Sequence, residues 1–259
     1  MLNLCQPDAT KSCAACCGVY NVPDATRDTL KERLYRRTAL FATVPRQVDA
    51  LAGYAERIRQ EEALVPDNPW TYVCEFTGFI STDQRLVGCM LHPAAAGNEG
   101  KDLRGLCHYG SMACKLFFCH AWRLLPSFWV QTIVVLLDDW HLYGLVITDV
   151  AYIRAAFGLV EAVSGFSVEA ATPVRGNAVR ALREIFSWKD AWPWGSVSTL
   201  RRSSQHLAFP VRPEPMGVEE HLSVLLERLR FTFGEEAVPP GSGAYVRERL
   251  QALLRPGGK

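Results

Sequence analysis

Cysteine is the residue type whose number and placement point most clearly to chemistry in this chain. The 259-residue sequence contains nine cysteines, and none of them follows residue 119. An odd number in a chain without a recognisable secretion signal argues against a disulfide framework. An isolated cysteine such as Cys5 can serve simply as a small apolar residue. The other eight are candidate metal ligands: Cys13, Cys16, Cys17, Cys74, Cys89, Cys107, Cys114 and Cys119.

The segment that begins at Cys13 has the spacing of a metal-binding loop. Cys13 and Cys16 are separated by two residues, which lets two thiolates converge on one ion or cluster. A disulfide between the adjacent Cys16 and Cys17 would be strained, because neighbouring Cα atoms lie about 3.8 Å apart, roughly 0.6 Å below the usual disulfide range. Gly18 follows and permits a positive φ with close backbone approach. We therefore predict a tight loop whose amide groups face sulfur atoms.

The five later cysteines lie in similar turn-rich segments, together with three histidines. His92, His108 and His120 could each complete a mixed site, although a packed or surface histidine is the commoner role. Eight cysteines exceed the four ligands of a mononuclear site, so either two sites exist or one polynuclear cluster uses four and the rest line it. Aromatic residues near these cysteines favour a dry pocket: Trp70, Tyr72, Phe76, Phe79, Phe117 and Phe118.

Thiolates select soft or borderline metals over calcium and magnesium. The crowded cysteines favour an iron–sulfur cluster, with zinc as the alternative. We expect Cys16→Ser to reduce the metal content more than Cys5→Ser.

The order of the cysteine motifs resembles a family of bacterial cysteine-cluster proteins described as zinc- or iron-chelating, of the C-x2-C-x2-C-C type. The matching segments are Cys13/Cys16/Cys17, residues 74–77, residues 89–93 and residues 114–117. The resemblance covers about residues 5–122. The chain departs from the pattern at Thr10, where the family has its first cysteine, and Cys5 is the candidate replacement through a longer loop.

The resemblance implies a metal-binding protein, and we expect a redox or accessory factor with a protein partner. A zinc-stabilised protein-interaction module is the alternative. Flagellin lysine methylases are distantly related to this family, which suggests a cluster-dependent protein methyltransferase as a further alternative. The chain has no clear glycine loop for S-adenosylmethionine, and whether the protein is an enzyme stays open.

The composition is that of an ordinary globular protein. The formal net charge is +1 and 49% of residues are hydrophobic, which argues against disorder and against a strong global field for nucleic acid or membrane. The apolar run over 128–137 is too short to cross a bilayer core of roughly 30 Å. No Walker loop, G-x-G-x-x-G or HExxH motif is present. We therefore expect a cytoplasmic protein that has no membrane partner.

The periodicity predicts an α+β fold that is mainly α, divided into two parts. Residues 1–125 are expected to form an irregular, metal-bound cysteine-cluster domain. It would contain a helix opening at Pro23-Asp24, a second helix from Val48 to about Glu62, and a hairpin carrying Cys74 and Cys89 around a turn at 81–84. The segment 107–119 is expected to mix a turn with a short helix.

Residues 126–259 are expected to form a helical domain. Helices are predicted over 127–137, 150–162, 177–188, 218–231 and 244–254. A hairpin pairing 197–201 with 206–211 would make the order of elements winged-helix-like. The cations Arg175, Arg180 and Arg183 could then contact nucleic acid, although a solvated cationic face is the favoured interpretation. The acidic residues Asp138 and Asp139 are expected to cap or interrupt a helix.

Overall fold

The computed structural model describes residues 3–165, 176–195 and 217–255. This part of the chain is mainly helical and has one small antiparallel sheet. The elements in chain order are α1 Arg27–Ala42, α2 Val48–Glu62, β1 Thr77–Phe79, β2 Val87–Cys89, α3 Gly110–Leu116, α4 Ala121–Leu124, α5 Ser127–Leu136, α6 Trp140–Ile147, α7 Val150–Ser164, α8 Asn177–Ala191, α9 Val218–Phe233 and α10 Ser242–Leu254. The mainly helical fold with a small hairpin is as predicted.

The first helix begins later than the sequence pattern predicted. The Thr26 side chain accepts a hydrogen bond from the amide of Thr29, which satisfies one of the free donors at the start of α1. The helix therefore begins at Arg27, and Pro23 lies outside it. Leu30, Leu34 and Phe41, which share one face of this helix, are buried.

The hairpin holds the cysteine segments in register. β1 pairs antiparallel with β2, and Thr77 lies opposite Cys89. Cys74 precedes β1 by one turn, because the amide of Thr77 donates to the Cys74 carbonyl at 3.3 Å. Within the segment 107–119, a turn at 108–109 leads into α3, so the predicted mixture of turn and short helix is confirmed.

The helices from α5 onwards bury one large apolar core, which we call the helical core. It is built around residues such as Ile153, Phe157, Ile185, Leu225 and Leu229. Helix α6 was not predicted as a helix, although the Asp139 side chain caps it by accepting from the amide of Leu142, in agreement with the capping interpretation of that acidic pair. Its residues are buried almost all round, so the sequence has no amphipathic period to indicate it.

Two smaller cores lie in the cysteine-rich region. The hairpin core contains Phe41, Leu51, Tyr54, Phe76, Met90, Leu91 and the cysteines Cys74 and Cys107. The junction core joins Val19, Leu30 and Phe79 to Trp140 and Leu145, and Leu4 and Ala121 pack into the helical core. Apolar packing therefore crosses the boundary predicted at residue 125.

Several sequence predictions fall outside the described residues. These are Arg175 and the hairpin over 197–201 and 206–211 that would complete a winged helix. Within the described ranges, no helix combines the length and the apolar character that a membrane span requires.

Candidate metal centre

Five cysteines from four chain segments gather at the hairpin core, and we call them the first cysteine group: Cys17, Cys74, Cys89, Cys107 and Cys114. The amide of Cys74 donates to the Cys17 carbonyl at 2.9 Å, which fixes the loop of Cys17 against the hairpin. The sulfur atoms of Cys107 and Cys114 lie 3.2 Å apart. Cys17, Cys89 and Cys107 are also close enough to Cys74 for their charges to interact.

The loop before this group needs glycine at position 18. Gly18 has a φ of 75°, and a Cβ atom there would lie 2.3 Å from the Tyr72 carbonyl oxygen. Only glycine combines this backbone conformation with so close an approach. The predicted positive φ is confirmed, and it lets the segment of Cys17 lie directly against the segment of Cys74.

Hydrogen-bond donors face the sulfur atoms of the first group. The amide of Phe76 is directed at Cys74, and the amide of Leu91 is directed at Cys89, in each case from two residues further along the chain. The hydroxyl of Thr77 faces Cys17. Thr77 is 1% exposed, and among the described residues its hydroxyl has no hydrogen-bond partner. Because thiolates accept such bonds far better than thiols do, this environment suits deprotonated sulfur.

Burial works against ionisation in the absence of a cation. Burial, together with the charge of Cys17, raises the pKa of Cys74, and burial raises the pKa of Cys89 to about 12. Burial and the hydrogen bond with Cys107 raise the pKa of Cys114 to about 12. A bound soft cation would reverse this balance, since metal ligation deprotonates thiols outright.

Cys16 stands apart from the buried sulfur atoms. Its residue is exposed, whereas the neighbouring Cys17 is half-buried. The pKa of Cys17 is raised mainly by a hydrogen bond with Cys16 and secondly by burial. Of the adjacent pair, Cys17 therefore faces the first group, and Cys16 lies at its rim.

Cys5, Cys13 and Cys119 form a second cysteine group, which adjoins the first. Cys13 and Cys17 both pack on the junction core, and the charge of Cys17 interacts with Cys5 and Cys13. The amide of Cys13 donates to the Cys5 carbonyl at 2.8 Å. Cys5 and Cys119 are near enough for their charges to interact, and both interact in the same way with Cys13. The sequence left open whether Cys5 is a small apolar residue or a replacement for the family's first cysteine, and the fold places it beside two candidate ligands. Its separation of over a hundred residues from Cys119 left no local signal for this proximity.

The three candidate histidines make contacts of other kinds. His108 stacks on Tyr72 with ring centroids 3.9 Å apart. The Nδ1 atom of His92 accepts from the amide of Ala94 at 3.1 Å. His120 is exposed at the start of α4. These placements match the commoner structural roles that sequence analysis weighed for each.

The expectation that the neighbouring aromatic residues form a dry pocket is only partly met. Phe76 and Phe79 are buried. Trp70 is 90% exposed, and Phe117 and Phe118 are about half exposed, because α3 ends at Leu116 and the chain there runs along the surface. The dry surroundings come instead from Tyr54, Met90 and Leu91.

Arg104 was missed by sequence analysis, although it lies near Cys89 and Cys114. Its guanidinium group is paired with Asp102 at 2.8 Å, and its carbonyl accepts from the Cys107 thiol at 3.1 Å. A cation beside thiolates offsets part of their negative charge. Its position three residues before Cys107 is the only local signal.

Comparison with protein-family models, curated sequences and solved structures found no match for this chain. Across the described ranges, His, Cys, Asp and Glu side chains do not form, as they stand, a group of three or more that could hold a metal ion. The donor chemistry is nevertheless that of a soft metal site, since buried thiols are met by amide and hydroxyl donors. The cysteines of the first group are therefore of the residue type that binds a metal as thiolates.

Proposed function

We propose that this protein binds metal through its N-terminal cysteines, holding an iron–sulfur cluster or, alternatively, zinc, and acts as a redox or accessory factor for another protein. The observation that carries this proposal is the gathering of Cys17, Cys74, Cys89, Cys107 and Cys114 at one apolar core. These residues span nearly a hundred positions of the chain, so it is the tertiary fold that brings them to one core.

The choice of metal follows from the ligand chemistry. Sulfur donors favour zinc or iron–sulfur clusters over hard cations. An iron–sulfur cluster supplies one-electron transfer, whereas zinc in an all-thiolate site is structural. Either centre takes four cysteine sulfur atoms, so the fifth sulfur of the first group would line the site. The chain positions the sulfur atoms, excludes water from them with Phe76 and Met90, and directs amide protons at them.

An accessory role agrees with the surface beside the first group. Helix α3 and the residues after it expose Met112, Leu116, Phe117 and Phe118, each at least half exposed. Contiguous exposed apolar side chains are typical of interaction sites. A partner that covered this surface would lie next to Cys114, which is half-buried on the same helix. The same surface favours the second candidate function, a zinc-stabilised protein-interaction module.

Metal analysis of anaerobically purified protein tests the proposal. We expect iron and acid-labile sulfide in near-equal amounts, with broad visible absorption from sulfur-to-iron charge transfer. Zinc without colour would support the second candidate, and protein free of both metals would refute the proposal.

A pair of matched variants ties the metal to the first group. Cys74→Ser removes a buried sulfur of the hairpin core, and we expect it to lower the metal content at least tenfold, as loss of a ligand does. Ala55→Ser places a similar hydroxyl in the same buried core without removing sulfur, and we expect it to retain the metal. Equal metal content in both variants would remove Cys74 from the site.

A further inference from the structure

Two sulfur atoms of the first cysteine group lie in direct contact. The sulfur atoms of Cys107 and Cys114 are 3.2 Å apart, whereas the two sulfur atoms of a disulfide are about 2.0 Å apart. A further approach of roughly 1.2 Å would therefore join them. Cys107 directly follows the 3-10 turn Arg104–Leu106, and Cys114 lies on α3, so both belong to one short segment of the chain.

The backbone between the two cysteines folds back on itself. Gly110 has a φ of 73°, a conformation that glycine adopts without strain, and its amide donates to the Cys107 carbonyl at 3.1 Å. The two ends of the segment share one carboxylate, because Asp102 pairs with Arg104 at 2.8 Å and with Lys115 at 2.7 Å. Contacts within the protein therefore hold the two sulfur atoms next to each other.

The two thiols differ in their access to solvent. Cys107 is 8% exposed, whereas Cys114 is half-buried and its neighbours Met112 and Lys115 on α3 are exposed. The guanidinium group of Arg104 lies near Cys114, and a cation at that place favours a thiolate over a thiol. A reagent from solvent would therefore meet Cys114 first, and Cys107 is within reach of the sulfur that has reacted.

We propose that Cys107 and Cys114 form a dithiol site that exchanges with low-molecular-weight disulfides and closes reversibly to an internal disulfide. Cys114 loses its proton to solvent and attacks one sulfur of the reagent. A bond forms between these two sulfur atoms, the sulfur–sulfur bond of the reagent breaks, and the first thiolate leaves and takes up a proton. Cys107, after losing its own proton, attacks the Cys114 sulfur and displaces the second thiolate. The protein pair is thereby oxidised by two electrons, and one reagent disulfide is reduced to two thiols.

Closure of this disulfide would also regulate the proposed metal centre, and this part of the inference rests on the proposed function. It would take two of the five sulfur atoms of the first group and leave Cys17, Cys74 and Cys89 as thiols. Three cysteines are one fewer than the four that an iron–sulfur cluster or an all-thiolate zinc site uses. Oxidation of the pair should therefore release the metal, and reduction should allow it to bind again.

Peptide mapping tests the pair directly, because trypsin leaves both cysteines in one peptide, residues 105–115. The full chain, purified anaerobically with the metal it carries, is equilibrated with mixtures of reduced and oxidised glutathione. Free thiols are then alkylated, the protein is digested, and released iron and zinc are measured in the same samples. Burial and the hydrogen bond with Cys107 raise the pKa of Cys114, so the exchange is slow and each mixture is left until its composition is constant.

We expect peptide 105–115 to lose two hydrogen atoms and to escape alkylation as the share of oxidised glutathione rises, and a dithiol reductant to reverse the change. Peptide 12–27, which carries Cys13, Cys16 and Cys17, is the internal control. It should need about tenfold more oxidised glutathione to form an internal disulfide, because sulfur atoms already in contact have the higher effective concentration. A fully alkylated peptide 105–115 in every mixture overturns the inference, and so does an equally ready disulfide within peptide 12–27.

Three variants show which sulfur reacts first. Cys107→Ser should trap glutathione on Cys114, because no second thiol is present to resolve the mixed disulfide. Cys114→Ser should leave Cys107 free for alkylation, because the outer sulfur is missing. Ala113→Ser, at an exposed position beside Cys114, keeps both sulfur atoms and should behave like the wild type. Glutathione trapped on Cys107 of Cys114→Ser, with none on Cys114 of Cys107→Ser, would overturn the assignment of Cys114 as the attacking sulfur.

Metal content and disulfide content report separately on the two proposals. Wild-type protein that closes the disulfide but carries no metal refutes the proposed function and supports the dithiol site. Metal-bound protein that forms no disulfide in any mixture supports the proposed function and overturns this inference. Metal retained while the disulfide closes refutes the regulation of the metal centre by this pair.

Discussion

The cysteine-rich region and the helical region are held together by different forces. The helical region packs α5 to α10 around one large apolar core, in which residues such as Ile153, Leu159 and Leu225 are fully buried. The cysteine-rich region has two longer helices, α1 and α2, two short ones, α3 and α4, and a hairpin of three residues a side. Its smaller hairpin core includes the sulfur atoms of Cys74 and Cys107. Burial of apolar area therefore accounts for more of the stability of the helical region.

The two regions also differ in how they treat buried polar groups. In the helical region Asp149 accepts from Lys189 at 2.7 Å and from Arg228 at 3.0 Å, and all three are almost completely buried. Oppositely charged partners thus satisfy one another inside the protein. The cysteine-rich region also has a buried ion pair, between Arg37 and Glu62 at 2.6 Å, but it buries in addition thiols such as Cys74, which would repel one another when ionised. The difference is that Asp149 has cationic partners within the fold, whereas under the proposed function a bound metal ion would offset the charge of the ionised thiols.

We expect metal removal to have the largest effect on stability and to act on the cysteine-rich region alone. We expect chelation of the metal-bound protein to destabilise the cysteine-rich region by on the order of 10 kcal/mol, since ligand binding and folding are coupled in such sites. The helical region should keep its far-ultraviolet circular dichroism. Proteolysis with mass mapping measures this, and uniform protection of the chain after chelation would contradict the comparison.

Asp149→Ala should give the next largest effect, in the helical region. The change leaves Lys189 and Arg228 buried without their carboxylate and removes the cap that accepts from the amide of Tyr152. We expect a loss of about 3–5 kcal/mol in the free energy of unfolding, measured by denaturant titration. The exposed Asp138→Ala is the control and should change this free energy by less than about 0.5 kcal/mol. A loss below about 1 kcal/mol for Asp149→Ala would show that the network is not a stabilising unit.

A matched pair of cavity mutations compares the two cores directly. Leu225 and Leu51 are both 0% exposed, one in the helical core and one in the hairpin core. We expect Leu225→Ala to cost about 3 kcal/mol, because the larger core cannot collapse around the missing side chain. Leu51→Ala should cost less in the metal-free protein, where the hairpin core is looser. The reverse order in thermal unfolding would contradict our ranking of the cores.

We expect a lowered pH to act at the contact between the two regions and to have the smallest effect on the free energy of unfolding. Burial favours the neutral form of Asp190, yet the hydrogen bonds from His141 and Arg27 hold the pKa of this carboxyl well below its usual range. A depressed folded-state pKa contributes stability above the unfolded pKa of about 3.9, and this stability is lost as the pH falls through the folded value. We expect Asp190→Asn to cost about 1 kcal/mol at pH 7, because the pair with Arg27 is partly exposed.

Denaturant titrations at pH 7 and pH 3 check this prediction. The destabilisation caused by Asp190→Asn should shrink at the lower pH, because at pH 3 the carboxyl of the unfolded chain is largely protonated while that of the folded protein is still ionised. A cost that is the same at both pH values would exclude Asp190 as a source of acid sensitivity.

Much of the local structure could be predicted from short-range patterns. The bounds of α2 and the starts of α5, α7, α8 and α9 follow the apolar period, because each helix must bury one face. The hairpin and the backbone conformation of Gly18 were predicted for similarly local reasons. The start of α1 was misplaced, since the Thr26 cap was overlooked.

The sequence by itself determined which residues can ligate a metal and how each local turn presents its sulfur, because both depend on neighbouring residues and backbone conformation. Only the tertiary structure decided how the nine cysteines divide, with Cys5 beside Cys13 and Cys119, and Cys17 beside Cys74. It also decided that Trp70 is exposed while Asp149 is buried. The physical reason is that these outcomes depend on packing between segments far apart in the chain, which no local period or spacing encodes.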